Sequence, residues 1–161
     1  MGQDLLDRFT PVHSHPTNIS SAGMATWAFR LGHRCLKFPR GATYECYFAS
    51  VVNSLYDLTG MLVTVVWTAG AVTAGVTWEA SFERQQADVY DYSAAASFGT
   101  AKTVVEVALT GVNLARYSPI EFSALELGGL QPLESYRLRL RRTDAVAMDA
   151  FVYRVFVQNL L

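Results

Sequence analysis

Along most of the chain apolar and polar residues alternate at every second position. In the stretch VTWEASFER, Val76, Trp78, Ala80 and Phe82 alternate with Thr77, Glu79, Ser81 and Glu83, which predicts a strand with one dry face and one wet face. MATWAFRL sets Ala25, Trp27, Phe29 and Leu31 on one face, and ESYRLRLRR sets Tyr136, Leu138 and Leu140 against Arg137, Arg139 and Arg141. AFVYRVFVQ does the same with Phe151, Tyr153, Val155 and Val157. GMLVTVVWTA is nearly all apolar, as expected of a central strand buried on both faces. RCLKFP, TYECYFASV, TAKTVVEVAL and PIEFSALEL complete a series of eight or nine short strands, linked by PRGA, by the small-residue run AGAVTAG and by a longer loop over 88–99. SPIE has the form of a capping box with Pro at the first helical position, and Gly128-Gly129 would stop such a helix. A helix over 119–127 therefore competes with a strand beginning at Ile120, and the strand is preferred. No other helical period runs for ten residues. The series predicts an all-β fold, a single jelly-roll β-sandwich of about eight strands over 24–161. Residues 1–23, with Pro11, Pro16 and Gly23 and no sustained period, read as an extended N-terminal arm. Trp67, Trp78, Phe82, Leu138, Leu140 and Val155 are the expected core.

Composition adds one consideration. Apolar residues make up 51% of the 161 positions without counting glycine, and charged residues only 17%. Typical chains have about 45–50% apolar residues with glycine included, and about 25% charged. Eleven of the 13 basic residues are Arg, the exceptions being Lys37 and Lys102. Surplus apolar surface and an Arg-over-Lys bias both suit subunit interfaces, so an oligomer is expected. The net charge of −1 carries no bulk signature of a nucleic-acid or anionic-membrane partner. MGQDLLDRF has Asp4 and Asp7 where a signal peptide needs positive charge, and Leu6 where a myristoylation signal needs Ser or Thr; no targeting segment is expected. Cys35 and Cys46 read as two small buried hydrophobes rather than a disulfide.

Candidate chemistry is sparse. His13 and His15 share a direction on an extended segment, a spacing that can chelate a metal. No Asp or Glu lies between Asp7 and Glu45 to complete a cupin-like site, so they read as polar residues of the arm and no metal or other cofactor is expected. There is no Gly-x-Ser-x-Gly elbow and no Gly-rich phosphate loop before a helix. The carboxylate pair Glu79/Glu83 is expected to be solvated on the wet face, and Asp88/Asp91 in DVYDY to decorate a loop rather than hold calcium. No catalytic residue is assigned. Arg137, Arg139 and Arg141 form the one basic ladder. Without net positive charge or evident stacking partners it reads as cross-strand pairing with Glu79 and Glu83 or as a contact to another subunit.

The run from Gly60 to Phe98 resembles the middle of a family of small tailed-bacteriophage structural proteins. There a strand ending in Trp leads through small residues into a Gly-Val-x-Trp-Glu strand that closes on Phe-Glu-Arg, followed by an Asp-rich loop; the matching positions are Trp67, Gly75–Glu79, Phe82–Arg84 and Asp88/Asp91. Leu138–Arg142, Asp144 and Asp149–Val157 are similar to the same family's ending, although Glu134-Ser135 stands where that pattern has Gly-Asp. The resemblance spans about residues 39–158. It implies a jelly-roll virion protein, often trimeric, seated on the capsid exterior or an appendage, with the major capsid or another virion protein as partner.

The expectation is thus a non-enzymatic decoration or cement protein that stabilises a shell through inter-subunit contacts. Phe9, Pro11, His13, His15 and Asn18 of the arm, together with Arg137, Arg139 and Arg141, are the candidate interface. The alternative is a fibre-head or tail-associated module that binds a receptor or glycan through loop aromatics such as Tyr90 and Tyr92. A cupin-like enzyme and a nucleic-acid binder are the weaker competitors.

Overall fold

The computed structural model describes residues 5–9, 23–71, 75–91, 93–106 and 111–160, with the side chains at 5–7 and 9 outside that description. The fold is an all-β jelly-roll sandwich, with no helix among the described residues. Ten strands follow one another: β1 Leu5–Phe9, β2 Thr26–Arg30, β3 His33–Phe38, β4 Tyr44–Val51, β5 Gly60–Ala69, β6 Val76–Gln85, β7 Lys102–Glu106, β8 Arg116–Ser123, β9 Ser135–Arg142 and β10 Ala150–Asn159. A six-stranded sheet has the order β2-β3-β10-β5-β8, with β1 also on β10, and a four-stranded sheet has the order β4-β9-β6-β7. Every strand pair is antiparallel.

The inner faces of β6 and β9 meet as the alternation predicts, whereas Trp27 and Phe29 of β2 lie exposed outside the core. On β10 the expected face was Phe151, Tyr153, Val155 and Val157. A register shift between Val152 and Arg154 instead puts Ala150, Val152, Val155 and Val157 in the core. Trp67 from one sheet packs edge-on against Trp78 from the other, with ring centroids 5.6 Å apart, and Phe38 closes on Trp78 at 5.0 Å. Phe82 bridges Phe122 and Tyr136. Trp67, Trp78, Phe82, Leu138, Leu140 and Val155 all lie in this buried cluster. The Trp67 indole donates to Ser118 Oγ at 2.8 Å, and Ser118 Oγ donates in turn to Glu106 at 2.9 Å. That chain of bonds satisfies polar atoms that would be costly to bury alone. Gly60 starts β5 at φ +139°, where an added Cβ would stand 2.3 Å from the Phe122 carbonyl oxygen, so only glycine lets the two backbones approach there.

Arg142 replaces an apolar residue at the end of β9 on the core face. Its side chain is fully buried beside Asp144, with Nη2–Oδ1 at 2.7 Å. Nη1 donates to the carbonyls of Phe38, Pro39 and Met148, and Nη2 to that of Val146. Asp144 also accepts from the Thr77 and Val146 amides. One guanidinium thus ties the end of β9 to the end of β3 and to the corner leading into β10, across both sheets.

Two further local expectations change, and the preference for a strand over a helix at SPIE holds. The segment read as an irregular arm contributes β1, whose backbone pairs with β10 from Leu5↔Gln158 to Phe9↔Val155. This brings the strand count to ten rather than about eight. The strand expected from Ile120 begins at Arg116 and includes Pro119; β8 is an edge strand, where a missing N–H costs no ladder bond. The capping pattern at SPIE is unused, and a single turn forms instead at Ser123–Glu126, where Glu126 accepts from the Ser123 amide and hydroxyl. Cys35 and Cys46 are free and buried, in β3 and β4 of different sheets.

Replacing Arg142 by Ala should cost about 3–5 kcal/mol in urea denaturation, because it strands a buried carboxylate and several carbonyls. Burial pushes the Asp144 carboxyl up, but the Arg142 guanidinium and the Thr77 and Val146 amides outweigh it and hold the group below its ordinary value of 3.8. A lowered native pKa adds stability that is complete above that value and is lost as the pH falls through it toward the lowered one. The denaturation midpoint of Asp144→Asn should therefore fall less steeply than wild type below pH 4 or so.

Candidate functional site

Directly opposed residues of antiparallel strands share a face, so the register of the four-stranded sheet sorts its outer side chains into rows. Glu45, Arg141, Glu79 and Thr103 form one row, Tyr47, Arg139 and Ser81 the next, and Ala49, Arg137 and Glu83 the third. The basic ladder of β9 is thus flanked by carboxylates from both neighbouring strands. Arg141 reaches Glu79 at 3.0 Å and Glu45 at 3.4 Å. Arg139 donates to Ser81 Oγ at 3.1 Å and lies 3.9 Å from Glu79. Arg137 Nε donates to Glu83 at 2.5 Å, and its Nη2 donates to the Tyr90 hydroxyl at 3.3 Å.

The third row is not a wet face. The loop after β6 folds back over it: the Gly99 amide donates to the Phe82 carbonyl at 2.8 Å and the Ser97 amide to Glu83 Oε1 at 2.6 Å. Glu83, expected to be solvated, has a side chain only 1% exposed. The alternation of VTWEASFER placed Ser81 and Glu83 on the outer face correctly, but a segment distant from the strand pattern covers that face. The Phe98 ring sits 4.7 Å from the Arg139 guanidinium, 5.5 Å from that of Arg137 and 5.6 Å from the Tyr47 ring. The first row stays partly open, with side-chain exposures of 31% at Arg141, 27% at Glu45 and 16% at Glu79.

What remains accessible is a shallow surface floored by Arg141, Arg139, Glu79 and Glu45 and bounded by the Tyr47 and Phe98 rings. Burial and the bond to Glu45, 2.6 Å from the hydroxyl, push the Tyr47 phenol up to about 12, so it stays a hydrogen-bond donor at any physiological pH. Across the three rows three guanidinium groups face three carboxylates, which leaves no surplus charge for a phosphate backbone. The face instead alternates strong donors and acceptors beside aromatic carbon.

The sequence-predicted residues divide accordingly. The structure brings Arg137, Arg139 and Arg141 together on this face, each engaged by residues of the same chain. Pairing with Glu79 and Glu83 was legible; Glu45, Tyr47 and Phe98 were missed. The alternation in TYECYFASV could have placed Glu45 and Tyr47, whereas nothing periodic announces Phe98. Phe9 ends β1, with its side chain outside the described residues, as are Pro11, His13, His15, Asn18 and Tyr92 entirely. Asp91 is taken up locally, accepting from the Ser93 amide and hydroxyl, and no group of three or more His, Cys, Asp or Glu suited to a metal occurs among the described residues.

Glu83→Gln removes the charge that holds both Arg137 and the Ser97 amide. It should cost about 2–4 kcal/mol in denaturation and speed hydrogen exchange at Ser97 and Gly99 more than at core amides of β5.

No family model matches the sequence and no curated protein matches it. Solved structures of similar shape include TmCBM27, a carbohydrate-binding module with specific mannan recognition, at TM-score 0.49 and 8% identity over 100% of both chains. They also include CBM4, at TM-score 0.48 and 10% identity over 91% of this chain and 78% of that one. The Agl-KA catalytic domain gives TM-score 0.49 and 11% identity over 99% of this chain, which spans 29% of that one. Likenesses this distant are of sheet arrangement and carry no site residue across.

Proposed function

We propose that the chain is a non-catalytic binding module whose four-stranded sheet recognises a neutral glycan. The observation that supports this is the charge-balanced ladder of Glu45, Arg141, Glu79 and Arg139, edged by Tyr47 and Phe98. A sugar ring carries hydroxyls that both donate and accept around its rim, and C–H faces that pack on aromatic carbon. Such a ligand needs the convergent polar groups and adjoining apolar surface found here, and it needs no net charge. Salt bridges between neighbours hold the polar groups in place before binding, which reduces the ordering cost.

The resemblance to tailed-bacteriophage structural proteins gives this reading its setting, a receptor-binding head on a virion appendage. A screen of neutral oligosaccharides against the full chain should yield binders with micromolar to millimolar affinity. Tyr47→Ala and Arg139→Ala should each weaken them at least about tenfold, the worth of one good contact, with the melting temperature little changed. A module that binds no saccharide, or binds one equally well after both changes, would refute the assignment.

A second reading, a decoration or cement subunit that forms a homo-oligomer, is favoured by a different observation. β2 ends the six-stranded sheet, and Phe29 and Leu31 on it and its hairpin turn are each 72% exposed, with Trp27 partly so. Leu31 also adopts φ +51°, a left-handed conformation that favours Gly or Asn. Edge strands with exposed apolar side chains invite pairing with another chain. Light scattering on the full chain should then report an oligomer that Phe29→Arg converts to monomer; a wild-type monomer at high concentration would remove this reading.

A further inference from the structure

The opposite sheet carries a cleft that neither reading uses. Where β3 ends, beside the junction of β5 and β10, a cavity of about 430 Å³ opens between Arg30, Lys37, Arg40, Met148, Asp149 and Phe151. Arg30 is held from several directions. Its guanidinium lies 4.1 Å over the Phe151 ring, Nε donates to Asn113 Oδ1 at 2.9 Å and Nη2 to the same oxygen and to the Ala69 carbonyl. Lys37 Nζ stands 2.9 Å from Asp149 Oδ2, and the Arg40 amide donates to Asp149 Oδ1 at 3.2 Å. The Pro39 and Met148 carbonyls at the cleft are fixed from beneath by Arg142. The walls are therefore preorganised rather than adaptable.

We propose that this cleft binds a small oxyanion, a carboxylate, sulfate or phosphate group. Three cationic side chains line it against one carboxylate, so positive charge exceeds what Asp149 neutralises. Arg40 is exposed at the rim, where a guanidinium can meet an incoming anion with paired N–H donors. Asp149 occupies the site's charge as an internal competitor, bound to the two groups an anion would use. The volume admits an anion carried on a body as large as one sugar ring. The site lies on the outer face of the six-stranded sheet and stands or falls apart from the glycan face described above.

Amide chemical-shift titrations of the full-length protein at low salt separate the possibilities. Inorganic phosphate, D-glucuronate and glucose 6-sulfate should perturb the amides of Arg40, Ala147 and Asp149 saturably, and glucose should not. Arg40→Ala should weaken the anions about fivefold or more. Asp149→Asn, which keeps an acceptor for the Arg40 amide but removes the competing charge, should tighten them severalfold. Stronger binding of the two acidic sugars than of phosphate would identify an acidic saccharide as the source of the anion, and the reverse order a free anion; both support the site. Shifts spread over basic residues across the surface, or affinities that neither substitution moves while both spectra remain wild-type-like, would overturn it.

Discussion

The Arg142 guanidinium is the constraint on which the rest of this sandwich depends. It sits at the end of β9 on a face otherwise filled by Tyr136, Leu138 and Leu140, fully buried and paired to Asp144. A buried ion pair is a poor source of stability in itself, since desolvation offsets most of the attraction. Its contribution is positional. By gathering the carbonyls of Phe38, Pro39, Val146 and Met148, it aligns the end of the six-stranded sheet with the end of the four-stranded one. Pro39 and Met148 also line the cationic cleft, so the same buried charge braces both the junction of the sheets and one wall of that cleft.

The alternation of each strand then divides the labour. On β6 and β9 the even positions fill the core, and the odd positions build the outer ladder of Arg and Glu. Core and candidate site are opposite faces of the same strands, so the packing that buries Trp78 and Leu140 also aims Glu79 and Arg139 outward. The loop after β6 converts part of that outer face into interior. The Ser97 amide and its loop bury Glu83, while Arg137, Arg139, Arg141, Glu45 and Glu79 keep part of their side chains exposed. A strongly charged surface patch thereby becomes a smaller, electrically balanced one, the patch on which the proposed glycan recognition rests.

The surplus of apolar residues is only partly absorbed by the core. A continuous cluster from Ala25 to Val157 takes most of it, yet Phe29, Leu31, Leu125 and Leu133 stay largely exposed. Leu31 and Leu133 also have positive φ, so two of the most exposed leucines occupy turn positions where their own side chains are a strain. Local stability accounts for neither choice. Leu31 adjoins the exposed Trp27 and Phe29 of β2, the surface on which the proposed homo-oligomer rests.

By itself the sequence determined most of the strands, the inner faces of β6 and β9 and hence the sandwich, because period-two alternation is a local property that any short window displays. The bulge that reverses the facing of β10 and the exposure of the apolar face of β2 lie outside that pattern. It also determined that Arg137, Arg139 and Arg141 share a face and that Glu79 and Glu83 stand within reach of them. Only tertiary structure decided that Leu5–Phe9 is a strand, since β10 supplies its pairing partner from the other end of the chain. Likewise it decided that Arg142 is buried, that the Ser97 amide closes over Glu83, and that Arg30, Lys37 and Arg40 meet Asp149 at one cleft. Apart from Arg142's bonds to its own corner, these are contacts between residues from 14 to more than a hundred positions apart. Short-range pattern says which way a side chain faces, while what it meets there depends on how distant segments close over it.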